Sequence, residues 1–85
     1  MAVVVPSWFK GRQGKVEEAG PTVLKLTAPN LAPWFVGIRR AERGWMAFVR
    51  DSADGPDAVV VELGAVPEYD AWEAAFELYR EHVVV

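Results

Sequence analysis

Three short apolar segments between residues 34 and 64 constrain the fold more than any other feature. Residues 34–40 and 45–50 are rich in aromatic and β-branched side chains, and Glu42-Arg43-Gly44 lies between them. A short gap containing Gly between two such runs is typical of a β-hairpin. A third run follows at residues 58–63, after a connection rich in Asp, Gly and Ser that favours a turn. The pattern predicts a three-stranded antiparallel meander over residues 34–64.

A helical pattern follows the meander, over residues 69–82. Its apolar positions recur at the i, i+3, i+4 and i+7 spacing of one helix face, and they are Trp72, Ala75, Phe76 and Tyr79. Asp70 is the predicted N-cap, and Glu73, three positions later, is its capping-box partner. Because an apolar stripe must be buried against another element, we expect this helix to pack on the meander.

The first 33 residues are expected to supply further strands and loops. Residues 22–27 alternate apolar and polar side chains and are bounded by Pro-containing pairs, which predicts a strand. Residues 3–5 favour a short edge strand that ends at Pro6, residues 10–15 a basic loop, and residues 28–33 an extended connection. Residues 1–85 therefore form one α+β domain, with a small antiparallel sheet of three core strands and one or two added N-terminal strands. A single amphipathic helix packs on that sheet at the C-terminus.

Alternation along the three predicted strands assigns side chains to the two sheet faces. The face toward the helix is predicted to hold Ile38, Ala47, Val49 and Leu63, with either Val59 or Val61. The opposite face is predicted to hold Arg39, Phe48, Arg50, Val60 and Glu62. Because a monomer rarely leaves a large apolar patch bare, something should cover Phe48 and Val60. The predicted strands at residues 3–5 and 22–27, a protein partner and a second copy of the chain are the alternatives.

Charge is divided unevenly along the chain. Residues 1–50 carry eight Lys or Arg and three Glu, a net charge of +5, whereas residues 51–85 carry nine Asp or Glu and one Arg, a net charge of −8. Such asymmetry is typical of proteins that meet a polyanion or a charged partner. The chain has no Cys, which excludes a disulfide framework, a thiol nucleophile and a Cys-based zinc site. Without a signal-peptide pattern or an apolar stretch of ~20 residues, we expect a cytoplasmic protein with no membrane partner.

Residue patterns for catalysis are weak throughout the sequence. The single histidine, His82, lies near the predicted helix C-terminus, where a cation is favoured, and neither Ser7 nor Ser52 has a base nearby in sequence. The aspartates of residues 51–57 lack the spacing of a calcium loop, and residues 11–15 lack that of a phosphate-binding loop. We therefore expect a protein that is not an enzyme, with no catalytic residues, no metal and no cofactor.

Residues 34–82 also resemble a known family of DNA-binding domains. The resemblance is carried by Phe35-Val36-Gly37-Ile38-Arg39, Trp45-Met46-Ala47-Phe48-Val49-Arg50-Asp51, Leu63-Gly64, Ala74-Ala75 and Tyr79. These runs are similar to the plant AP2-type and integrase arm-binding domains. The resemblance implies a three-stranded antiparallel sheet with one packed helix, whose open face reads the DNA major groove with arginines and tryptophans. Arg39 and Arg50 keep that basic character, whereas Val36, Val60 and Glu62 stand where the family has arginines or a tryptophan.

Two functional hypotheses follow from the sequence. The leading one is a non-catalytic interaction module, a small accessory or inhibitor protein, that binds a protein partner. Self-association into a homodimer is an additional alternative. Because Trp and Arg are enriched at binding hot spots, its predicted binding residues are Arg39, Arg50, Phe48, Trp34 and Trp8. The alternative is nucleic-acid binding of the AP2 or integrase-arm type. The residues predicted for it are Lys10, Arg12, Lys15, Arg39, Arg40, Arg43 and Arg50.

Overall fold

A computed structural model describes residues 5–84, which form one antiparallel sheet with helical segments before and after it. The strands are β1 (Lys15–Gly20), β2 (Val23–Ala28), β3 (Leu31–Ala41), β4 (Gly44–Arg50) and β5 (Val59–Gly64). The helices are α1 (Ser7–Gly11) and α2 (Glu68–Tyr79), and α2 continues into a π-helical turn, Arg80–Val84. The strand order in the sheet is the chain order, β1 to β5, so the sheet is a simple meander of five strands.

The three C-terminal strands confirm the predicted meander. β3 pairs with β4 through a tight turn in which Ala41 lies opposite Gly44, and β5 returns along the other side of β4. Gly44 has a φ of 143°, a conformation that side chains with a Cβ rarely adopt, so the turn requires glycine at this position. The predicted α+β class, with an antiparallel sheet and a C-terminal helix, is confirmed, although the sheet has five strands.

The N-terminal third of the chain differs from the prediction in three places. The predicted strand at residues 22–27 is present as β2, but residues 15–20, which include part of the expected basic loop, form β1. Residues 28–33 are not a plain extended connection, because a turn at Asn30, with a φ of 67°, leads directly into β3 at Leu31. The short helix α1 was not predicted. Of the expected edge strand, residues 3 and 4 lie outside the described residues.

The predicted apolar stripe of α2 is confirmed as the centre of the core. Ala71, Trp72, Ala75, Phe76 and Tyr79 are buried on one side of the helix. They pack with Leu24, Leu26, Val36, Ile38, Ala47 and Val49 from the middle strands. α1 adds Phe9, whose ring centroid lies 5.7 Å from that of Tyr79. Both helices therefore share one core, on one side of the sheet.

The start of α2 differs from the predicted capping box. The helix begins at Glu68, and its N-cap is Pro67, with extended backbone and no side-chain hydrogen bond to the helix. The prediction that Asp70 caps the helix was therefore wrong, because the chain already turns into the helix three residues earlier. Glu68 and Asp70 instead lie in the first turn, where negative charge interacts favourably with the helix dipole.

Of the alternatives for covering the second sheet face, the strand pair at residues 3–5 and 22–27 is contradicted for residues 22–27, and residues 3 and 4 lie outside the described residues. β2 pairs edge to edge with β3, with Val23 opposite Gly37 and Leu26 opposite Trp34. Its backbone hydrogen bonds therefore widen the sheet in its own plane. Within residues 5–84 no helix or strand packs on the face opposite α2.

The close approach of Phe48 to the backbone at Gly37 gives a first testable prediction. A Cβ at Gly37 would overlap the Phe48 ring and lie 2.6 Å from the carbonyl oxygen of Thr22. We expect Gly37→Ala to lower the free energy of unfolding by roughly 2 kcal/mol, because neither neighbour can move without breaking a packed contact. Urea unfolding measures this loss, and Gly11→Ala is the control, since a Cβ at Gly11 meets nothing within 4 Å. Equal stability of the two variants would contradict the packing described here.

Candidate functional site

Within residues 5–84 no helix or strand packs on the sheet face opposite α2, and we call this face the open face. Strand pairing fixes its membership, because directly opposed residues point to the same side. The open face includes Lys15, Glu17, Val23, Lys25, Thr27, Phe35, Gly37, Arg39, Met46, Phe48, Arg50, Val60 and Glu62. The face assignments of Arg39, Phe48, Arg50, Val60 and Glu62 that the sequence predicted agree with this register.

Phe48 lies on the open face and is nevertheless only 2% exposed. Gly37, directly opposite on β3, has no side chain and lets the ring lie against the sheet. The guanidinium carbons of Arg39 and Arg50 lie 5.0 Å and 4.3 Å from the ring centroid. Both distances fall within the range of a cation–π interaction. The arginines, rather than another strand, bury this aromatic side chain.

Asp57, in the connection between β4 and β5, holds both arginines in place. Arg50 donates from Nε to Oδ1 of Asp57 at 2.7 Å, and Arg39 donates from Nη2 to Oδ2 at 2.8 Å. Hydrogen bonds between charged groups at these distances are among the stronger ones in proteins. We call Arg39, Phe48, Arg50 and Asp57 together the Phe48 cluster.

The electrostatics of the Phe48 cluster favour ionised Asp57. Burial alone raises the pKa of the Asp57 carboxyl, but hydrogen bonds and positive charge from Arg39 and Arg50 outweigh it, so the pKa lies below its ordinary value. Two guanidinium groups against one carboxylate leave the cluster with a net positive charge. Arg39 keeps 41% of its side chain exposed, so part of that charge is open to another molecule.

The Phe48 cluster brings together two guanidinium groups, one carboxylate and a buried aromatic ring, and Arg39 is its most exposed member. Within the described part of the chain, no three His, Cys, Asp or Glu side chains come together as a metal site would require. The arrangement therefore favours recognition of a charged and apolar surface.

The two tryptophans predicted to bind a partner lie on the helix side of the sheet. Trp34 is half-buried, with its ring centroid 5.4 Å from that of His82. Trp8 stacks on Tyr79 at 6.4 Å, and the guanidinium of Arg80 lies 5.7 Å from the Trp8 ring. The structure brings together Arg39, Arg50 and Phe48, and it separates the two tryptophans from them.

The basic residues predicted to bind nucleic acid are also distributed over several surfaces. Strand register places Lys15, Arg39 and Arg50 on the open face. Arg40 lies on the helix side, with its guanidinium 4.6 Å from the Trp45 ring. Arg43 lies in the turn between β3 and β4, and Lys10 and Arg12 lie within and just after α1.

Sequence reasoning missed Glu17 and Lys25 on the open face and Asp57 in the connection beside it. Lys25 is brought to the open face by its pairing with Phe35, so it could be assigned only from the register of β2 against β3. Asp57 was grouped with the other turn aspartates, although it alone reaches the arginines. The one available signal was its position immediately before a predicted strand.

The surface of α2 has the opposite charge. Its acidic side chains are Glu68, Asp70, Glu73 and Glu77, and Glu81 follows in the π-helical turn. Glu73 and Glu77 line a groove of about 450 Å³ together with Trp8 and Tyr69. The acidic side chains of α2 thus lie on the side of the sheet opposite the Phe48 cluster, whereas the basic residues of the first half of the chain lie on both sides.

Comparisons of this chain with models of known protein families, with curated proteins and with solved structures found no match. The resemblance of residues 34–82 to the AP2 and integrase arm-binding domains stays a prediction. Among residues 5–84, no helix has the length and apolar character needed to cross a membrane.

The Asp57 ion pairs predict a specific loss of stability in acid. Because the folded-state pKa of Asp57 is depressed, its contribution is fully present above the ordinary Asp pKa of 3.8 and is lost as the pH falls through the folded value. We expect Asp57→Asn to lower the free energy of unfolding at pH 7 by about 1–2 kcal/mol, an amount limited by the exposure of Arg39. The difference from wild type should shrink below pH ~4.

Urea unfolding between pH 2.5 and 7 measures this dependence. Asp54→Asn is the matched control, because Asp54 lies exposed in the same connection. A loss of stability in Asp54→Asn equal to that in Asp57→Asn would show that the arginine contacts of Asp57 do not contribute.

Proposed function

We propose that the chain is a non-catalytic interaction module that binds a protein partner through the open face. One observation carries the proposal: both helices lie on the same side of a five-stranded sheet, and nothing in residues 5–84 packs on the other side. Val60 is 44% exposed there, and Val23, Phe35 and Met46 are half-buried around the Phe48 cluster. Apolar side chains grouped on an uncovered surface are typical of an interaction site.

The chemistry of the open face supports a protein partner. Phe, Met and Arg are enriched in interfaces between proteins, and here they lie side by side on β3 and β4. Arg39 and Arg50 are already held by Asp57 and by the Phe48 ring. Because these side chains are ordered before binding, the entropy lost when a partner immobilises them is smaller.

The charges of the open face indicate what the partner surface carries. Lys25 lies opposite Phe35, and Arg39 lies opposite Met46 at the other end of the same face. The complementary partner is an apolar surface edged by carboxylates. Such complementarity governs specificity and association rate more than affinity.

Site-specific photo-crosslinking tests this proposal. A benzophenone amino acid replacing Met46, in the middle of the open face, is expected to give a discrete protein adduct in the native cells. The same amino acid replacing Glu73, exposed on α2, is the control and should give no such adduct. Adducts from Glu73 alone would place the interaction on the acidic side and contradict the proposal.

Charge reversal on the open face gives the corresponding affinity prediction. Arg39→Glu should weaken binding of the crosslinked partner at least tenfold, because it removes a partly exposed cation and repels carboxylates. Arg80→Glu, a charge reversal at the end of α2, is the control and should leave affinity within about twofold. Isothermal titration with the identified partner measures both, and equal affinities for wild type and Arg39→Glu would exclude this face.

Nucleic-acid binding is the second candidate function, and one observation favours it. The open face carries one basic side chain on each of four neighbouring strands, β1 to β4. They are Lys15, Lys25, Arg39 and Arg50. The carboxylate of Asp57, however, already accepts hydrogen bonds from both guanidinium groups and would compete with a DNA phosphate for them.

This candidate predicts that removing the Asp57 charge strengthens DNA binding. Asp57→Asn should raise affinity for a labelled DNA duplex several-fold, and Lys25→Ala should reduce the slope of log affinity against log salt by about one. Fluorescence anisotropy at several salt concentrations measures both. The absence of binding by both wild type and Asp57→Asn at low salt would rule out this use of the open face.

A further inference from the structure

The two edges of the sheet differ in how well they are protected against pairing with another strand. Both edge strands have one irregularity in the pairing with their neighbour, β1 between Glu18 and Gly20 and β5 between Glu62 and Gly64, so it is charge that distinguishes them. β1 carries Lys15, Glu17 and Glu18, and charged side chains are one device by which edge strands avoid further pairing. β5, at the other edge, begins with three consecutive valines and contains a single charged residue, Glu62.

The unprotected edge is also accessible. Val60 and Val61 are 44% and 37% exposed, and they point to opposite faces of the sheet. Within residues 5–84, β5 pairs only with β4, so its outer backbone edge has no strand beside it. The valine run therefore offers both a hydrogen-bonding edge and apolar side chains on each face.

We propose that β5 pairs antiparallel with β5 of a second copy of the chain, around a two-fold axis at Val60. A two-fold axis perpendicular to the sheet leaves the same face of both copies on the same side. In an antiparallel pair related by such an axis, one residue of the strand lies opposite the same residue of the second copy. With Val60 on the axis, Val59 lies opposite Val61 of the second copy. The centre of the interface is then three adjacent cross-strand pairs of β-branched residues, which stabilise a sheet.

The charge of Glu62 supports this register. With the axis at Val60, Glu62 lies opposite Ala58 of the second copy, and the two carboxylates are on opposite sides of the axis. With the axis at Val61 instead, Glu62 would lie opposite Val60 of the second copy, and only one of the three valine pairs would be left. The sequence of β5 is therefore self-complementary around Val60, which favours a second copy over an unrelated strand.

The difference between the edges also limits the assembly to two copies. When two β5 strands pair, the edges that stay outermost are the two charged β1 strands. The product is a closed dimer with a continuous ten-stranded sheet rather than a growing fibre. Both open faces lie on the same side of that sheet, because the axis is perpendicular to it.

Disulfide trapping tests the proposed register. The chain has no Cys, so Val60→Cys introduces a single thiol on the axis. Directly opposed residues in antiparallel strands have Cα atoms about 4.5–5.5 Å apart, which a disulfide can span. Under mild oxidation we expect Val60→Cys to form a covalent dimer at least tenfold faster than Ala19→Cys. Ala19 is the matched control, because it is exposed on the β1 edge.

Sedimentation velocity gives a second, independent readout with the full chain. Wild type should form a dimer in a concentration-dependent manner. Val60→Lys should raise the dissociation constant of that dimer at least tenfold, because two ammonium groups would lie directly opposite each other. Ala19→Lys should leave the dimer unchanged, and circular dichroism should show that each variant is folded. A wild type that is monomeric at all concentrations, a dimer unaffected by Val60→Lys, or equal trapping of the two thiols would overturn the proposal.

Discussion

The rest of this structure depends on one constraint, that a single long helix packs on a sheet of five strands. α2 has twelve residues and packs across β3 and β4, and the short α1 adds Phe9 to the same core. Burial of the apolar stripe of α2 therefore orders only one face of the sheet. Within residues 5–84, no helix covers the opposite face and no strand pairs with the outer edge of β5. The uncovered face is partly covered by the Phe48 cluster and, in our proposal, by a protein partner. The outer edge of β5 is covered, in our proposal, by a second copy of the chain.

The Phe48 cluster shows how a sheet face can partly cover itself. Gly37 removes a side chain so that the Phe48 ring can lie against the backbone, and two arginines close over the ring. Asp57 neutralises part of their charge and fixes their orientation. The same contacts that bury Phe48 hold two guanidinium groups ordered at the surface. The contacts that stabilise the cluster are therefore the same ones that would present Arg39 and Arg50 to the proposed partner. The acidic surface of α2 lies on the other side of the sheet.

The parts of the fold that the sequence predicted are those fixed by local patterns. The stripe of α2 and the β3–β4 hairpin depend on spacings within about ten residues, and both are present as expected. β1 was missed because its sequence, with three charged residues and a glycine, has little strand character and becomes a strand only by pairing with β2. Asp57 was not recognised because its contact with Arg39 spans 18 positions, and only the register of three strands brings the two together. Trp8 and Trp34 were assigned to a binding surface by residue type, which carries no information about the face.

The central claim is that Arg39 and Arg50 cover Phe48, whereas the other apolar side chains of the open face stay accessible. Hydroxyl-radical footprinting of the free protein is its most direct test. Three phenylalanines share one intrinsic reactivity and differ only in position. Phe48 should be modified as slowly as the core residue Phe76, whereas half-buried Phe35 on the same face should react faster. Asp57→Asn should raise the rate at Phe48 and leave Phe76 unchanged. Modification of Phe48 in wild type as fast as Phe35 would contradict this account.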